Sequence, residues 1–129
     1  MPYSFRLAPF DRVCEAIDSW RPRECKTEKD YERSLVKKLR KELTKQEIVP
    51  QYGSGRMRVD IMVGEKVPIE LKKDLTSTAA YQRTLGQLNQ YLEEFEGIIL
   101  VLCGDVSSEL FRELERYAKK QDRVYIYKR

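Results

Sequence analysis

The sequence predicts an α/β domain on a mixed sheet flanked by helices, and three features predict it. VDIMV (59–63) and PIELKKDL (68–75) alternate apolar and polar residues across a short turn, the pattern of an antiparallel hairpin with one covered face. GIILVLCG (97–104) is almost wholly apolar, as a strand covered on both faces must be. Between them lies a long stretch of helical period, so the covered strand is expected to run parallel to an earlier one through a right-handed crossover.

Taken in order, residues 1–26 read as an N-terminal arm. Val13, Ile17 and Trp20 fall at i, i+4 and i+7, which predicts a short amphipathic helix ending before Pro22 and docked on the domain or on a second subunit. The domain proper is placed at 27–129. Thr27 with Asp30 resembles a capping box and opens a helix to about Leu43. A strand near Gln46–Gln51 leads into the turn-forming Tyr52-Gly53-Ser54-Gly55. After the hairpin, Asp74 or Thr76 caps a helix over roughly 77–95, with an apolar stripe of Tyr81, Leu85, Leu88, Leu92 and Phe95. Ser107 or Ser108 starts a further helix, and RVYIYK closes the chain as a strand. The order is helix, three meandering strands, helix, strand, helix, strand.

Composition narrows the chemistry. The 129 residues are 41% hydrophobic and 36% charged, as in a soluble globular domain. The net charge of +4 permits a nucleic-acid partner without requiring one. Residues 21–45 carry ten Lys or Arg against five Asp or Glu, a solvated helix face or a phosphate-binding one. The chain has no histidine, which excludes Ser-His-Asp and Cys-His catalysis and His-ligated zinc. Cys14, Cys25 and Cys103 have no CxxC spacing and read as reduced, mostly buried thiols. No membrane span or signal core is evident, so a cytoplasmic location and no membrane partner are expected.

Four charged residues stand out. In the hairpin, Val59, Ile61 and Val63 share one face, and Arg58, Asp60 and Met62 the other. In the next strand Val67, Ile69 and Leu71 share a face opposite to Pro68, Glu70 and Lys72. Keeping the apolar residues together pairs Val63 with Val67 around the loop Gly64-Glu65-Lys66 and sets Asp60 opposite Glu70. Two carboxylates and an ammonium group then converge on one face, a set able to hold a divalent cation and activate a water. Upstream, Glu32 falls inside the arc of Tyr31, Leu35, Val36, Leu39 and Leu43, where a carboxylate needs a partner, a metal or a route to water. Gln87 and Tyr91, at i and i+4, border the stripe of the long helix.

This set resembles the PD-(D/E)xK nuclease superfamily, the restriction-endonuclease-like fold. Glu32 in the first helix, Asp60 on the second strand, Glu70-Leu71-Lys72 on the third and an αβββαβ order carry the resemblance. Gln87-Leu88-Asn89-Gln90-Tyr91 looks like the QxxxY of its RecB-type and lambda-exonuclease-type branch. Val59 stands where the proline of the motif would precede Asp60. The resemblance implies a Mg²⁺- or Mn²⁺-dependent deoxyribonuclease. Asp60, Glu70 and the Leu71 carbonyl would hold the metal, with Glu32 acting through water or on a second ion. Lys72 would assist the attacking water, Gln87 would position Lys72 or the water, and Tyr91 would support Gln87. Ser54, Gly55, Arg56, Arg58 and, more weakly, Lys73 would contact DNA. The size is also similar to archaeal Holliday-junction resolvases, so a homodimer is admitted, as is a helicase or other DNA-processing subunit as partner. Two other readings stay open: a non-cleaving nucleic-acid-binding module, and an interaction domain in which the charges form a structural salt-bridge cluster.

Overall fold

The computed structural model describes residues 8–129, leaving aside the Arg56 side chain. The part of the arm at residues 1–7 lies outside the described residues. Helix α1 (Ala8–Asp18) is followed by α2 (Glu28–Glu42), β1 (Ile48–Tyr52), β2 (Val59–Val63) and β3 (Val67–Lys73). Helix α3 (Thr78–Glu94), β4 (Ile98–Cys103), α4 (Ser108–Gln121) and β5 (Val124–Lys128) complete the chain. The five strands lie in the order β1-β2-β3-β4-β5. The first three are antiparallel neighbours, and β4 and β5 extend the sheet in parallel. This is the expected mixed α/β architecture, an αβββαβ core with a terminal αβ unit.

Each layer follows from local chemistry. The Thr27 side chain accepts the Asp30 N–H, and Asp30 accepts the Thr27 N–H, closing the capping box that starts α2. Ser107 caps α4 as expected. Helix α3 differs: its cap is Ser77, which accepts the Ala80 N–H. Asp74 is held elsewhere, at φ +57°, where its carboxylate accepts the Asp105 N–H at 2.9 Å. The expected stripe of α3 does face the core layer, with Thr84 and Tyr91 added to its buried side. Thr84, Leu88, Tyr91 and Leu92 are buried, whereas Tyr81, Leu85 and Phe95 are half-exposed.

The sheet separates two apolar layers. On one side Phe10, Val13, Ile17 and Trp20 pack with Leu35 and Leu39 against Ile61, Val63, Ile69, Leu71 and Val101. Thus α1 docks on its own sheet. The Trp20 indole N–H donates to Ser34 Oγ at 3.0 Å, and the Arg129 guanidinium reaches the Ile17 and Trp20 carbonyls. On the other side Leu88, Tyr91 and Leu92 of α3, with Leu114 of α4, cover Met62, Ile98, Leu100 and Leu102. Every residue of β4 is buried, as its composition requires.

The hairpin takes the expected register, with Val63 paired to Val67 and Ile61 to Ile69. Gly64 and Glu65 both hold positive φ in the turn. The ladder then stops one step short of Asp60 and Glu70. Here strict alternation fails. Val59 packs with the α3 layer, not with Ile61 and Val63.

Candidate active site

The end of the β2–β3 ladder is where the charged residues gather. Asp60 Oδ2 accepts the Leu71 N–H at 2.7 Å, so its carboxylate stands between the strands rather than on one flat face. In a strand a residue's N–H and C=O leave by the same edge. The Leu71 carbonyl therefore faces the Asp60 side. Glu70 projects toward α3 and is 4% exposed. The Lys72 ammonium lies 3.3 Å from Glu70 Oε2. Asp60, Glu70 and Lys72 thus meet.

Both acids are held against their charge. Burial, then the Asp60 charge, raises the Glu70 pKa to about 7, with Lys72 and the Asp60 N–H opposing the shift. Burial also raises the Asp60 pKa, against the Leu71 N–H, and Glu32 adds to the rise. A buried and a half-buried carboxylate with one ammonium near them leave unbalanced negative charge, the electrostatic condition that favours a cation.

Glu32 reaches the site from the other layer. It is 8% exposed, and its Oε1 accepts the Gln51 Nε2 at 2.7 Å. Gln51 also lowers the Asp60 pKa, so it stands beside both acids. Its φ of +52° is a conformation that glutamine rarely adopts. Sequence reasoning missed Gln51, because nothing in IVPQY marks a positive φ. The one hint is its place just before the glycine-containing loop.

Tyr91 is buried under the pair. Its hydroxyl donates to the Arg58 carbonyl at 2.7 Å and stands 3.4 Å from Glu70 Oε1. Burial, with Glu70 and Asp60 nearby, pushes its pKa far up, so it stays a neutral donor. Gln87, one turn earlier on α3, carries a buried Oε1 with no hydrogen-bond partner among the described residues. Ser54 and Gly55 lie exposed on the loop before β2, and Arg58 is exposed at its end. The Arg56 side chain lies outside the described residues. Gly53 holds φ +92°, and a Cβ there would stand 2.6 Å from the Met57 carbonyl oxygen, so this loop needs its glycine. Lys73 stands apart on the α2 side. Its N–H donates to Glu28 Oε2 at 3.1 Å and its ammonium pairs with Asp74.

Among the described residues, no three Asp, Glu, Cys or His side chains form a ready-made metal cage. The donors do fit an open site. Two carboxylates and a main-chain carbonyl edge are hard oxygen ligands, of the kind used by a cation that keeps several of its waters. The orphaned Gln87 oxygen provides an acceptor for one more polar partner.

No protein-family profile matches the chain, and no curated protein matches it. Its fold is similar to the solved structure of SfsA from Pyrococcus furiosus in complex with Ca²⁺, with a TM-score of 0.50 at 17% identity. The match covers 78% of this chain and 54% of that one, so the chain spans about half the length of the structure it matches. The likeness is one of fold. No helix among the described residues is long and apolar enough to cross a membrane.

Proposed function

We propose that this chain is a Mg²⁺- or Mn²⁺-dependent nuclease of the PD-(D/E)xK type that hydrolyses phosphodiester bonds in DNA. The observation that carries the reading is the meeting of Asp60, Glu70 and Lys72 where β2 and β3 part, with both acids raised in pKa. The Ca²⁺ in the SfsA structure is another oxygen-seeking divalent ion, which accords with the reading.

Asp60, Glu70 and the Leu71 carbonyl would hold the cation. Once bound, it would offset phosphate charge and acidify a water. Asp60 stays oriented through the Leu71 N–H. Lys72 is tied to Glu70 without a cation. Lys72 would stabilise charge growing on the scissile phosphate. Gln87 accepts a hydrogen bond from the attacking water, and Tyr91 braces Glu70 and the Arg58 backbone. Gln51 keeps Glu32 oriented at the rim, where it acts through water.

A second reading, a nucleic-acid-binding module without cleavage, is favoured by the hold of Gln51 on Glu32 and by the lack of a three-acid cluster among the described residues. Linear, branched and single-stranded DNA offered with Mg²⁺, Mn²⁺ or EDTA separates the two. Metal-dependent cutting that Asp60→Ala and Lys72→Ala both abolish supports the nuclease. Salt-sensitive binding with no cutting supports the module, and cutting that survives either substitution places the chemistry elsewhere.

A further inference from the structure

The outer face of α2 carries Lys29, Arg33 and Lys37 at successive i+4 positions, all exposed. With Glu32, Arg40, Val36, Pro50 and Gln51 they line a groove of about 470 Å³ between α2 and β1. Lys29, Arg33 and Lys37 make no ion pair among the described residues, whereas Lys38, on another side of the helix, pairs with Glu42 at 3.0 Å. A ridge of exposed positive charge therefore runs along the groove that Glu32 and Gln51 also line.

The other wall limits what the groove can take. β1 is an edge strand. The Gly64 N–H bonds the Glu47 carbonyl at 2.9 Å, so alternate residues Ile48 and Pro50 turn their backbones to the open edge. The Ile48 carbonyl is taken by Arg40 Nη2 at 3.1 Å, and Pro50 has no N–H to give. An added peptide strand would miss both the Ile48 carbonyl and a Pro50 N–H, which disfavours strand pairing. A polyanion needs only the ridge. The i+4 spacing puts one cation about every 6 Å over about 12 Å of helix, and a DNA strand carries a negative charge about every 3.4 Å along its axis.

We propose that the α2–β1 groove is a phosphate track for the DNA strand entering the Asp60 site, with Lys29, Arg33 and Lys37 as its contacts. The inference rests on the nuclease reading for the strand's direction, but its binding chemistry is independent of cleavage.

The test compares wild-type protein with Lys29→Gln/Arg33→Gln/Lys37→Gln, and with the three-charge control Arg112→Gln/Lys119→Gln/Lys120→Gln on α4. Binding to labelled DNA is measured in EDTA over a range of salt, so cleavage plays no part. The groove variant should lower the slope of log affinity against log salt by about 2 to 3 and weaken binding equally for unrelated sequences. The α4 control should keep the wild-type slope. Equal slopes for the groove variant and wild type overturn the track, as does an equal loss in the control or a wild-type protein that does not bind DNA. If the groove variant loses its slope while wild type fails to cut with any metal, the track stands and the nuclease reading falls. If wild type cuts and the groove variant binds unchanged, only the track falls.

Discussion

Asp60 Oδ2 takes the Leu71 N–H at 2.7 Å just beyond the point where the β2–β3 ladder ends. This bond does two things. It fills a backbone donor that the missing ladder step would have left open, and it points a carboxylate into the gap that Glu70 and Lys72 border. Asp60→Asn keeps an oxygen to accept that N–H but removes the charge. The variant should fold with stability equal to or above wild type in EDTA, because a buried repulsion is gone. It should also lose any thermal shift caused by Mn²⁺. Melting curves with and without Mn²⁺ check both. A clear drop in EDTA would mean that the charge of Asp60 supports the fold.

Glu70 sets the pH dependence of the metal-free protein. Its pKa is raised from 4.5 to about 7, so the folded state binds the proton more tightly than the unfolded chain does. Stability from this group is present in full below about 4.5 and is lost as pH rises through about 7. Glu70→Gln should remove that decline, with a gain at pH 8 of up to the order of 3 kcal/mol and none at pH 4. Urea titrations at several pH values in EDTA read this directly.

Lys72→Met leaves a hydrophobic stem in place of the Glu70 partner at 3.3 Å. Cleavage should fall by about 100-fold or more, while the fold is retained. Single-turnover rates under saturating Mn²⁺ are the measurement. A rate within about threefold of wild type would remove Lys72 from the chemistry.

Tyr91 acts chiefly through the backbone. Tyr91→Phe deletes the 2.7 Å bond to the Arg58 carbonyl and leaves that acceptor without its tyrosine partner. The expected cost is about 1 to 3 kcal/mol of stability, with a smaller effect on cleavage than Lys72→Met. The reverse order of effects would assign Tyr91 a direct part in the reaction.

Gln51 separates side chain from backbone. Gln51→Ala and Gln51→Gly both free Glu32, but only glycine is at ease at φ +52°. The glycine variant should be more stable than the alanine variant by about 1 kcal/mol, with equal losses of activity. Unequal activities would show that backbone strain itself matters at the site.

Much of this was legible in the chain because it depends on local rules. The two-residue period of 59–63 and 68–75 required the register that brings Asp60 toward Glu70, and the apolar GIILVLCG required a covered strand. The α2 capping box could be read from Thr27 and Asp30. The rest depends on tertiary fit. Whether Val59 follows Ile61 is decided by where β2 leaves β3, which no pattern in VDIMV records. The face that α3 buries also takes in Thr84 and Tyr91, and Tyr91 reaches a carbonyl 33 positions away. Gln51 holds Glu32 from a positive φ with no glycine or asparagine to announce it.

The most direct test is anomalous diffraction from crystals grown with Mn²⁺. A Mn²⁺ peak coordinated by the Asp60 and Glu70 carboxylates, absent from Asp60→Asn crystals, is the predicted result. Mn²⁺ bound only at other surfaces, with Lys72 still paired to Glu70, would contradict the assignment of this gap as a metal-dependent hydrolytic centre.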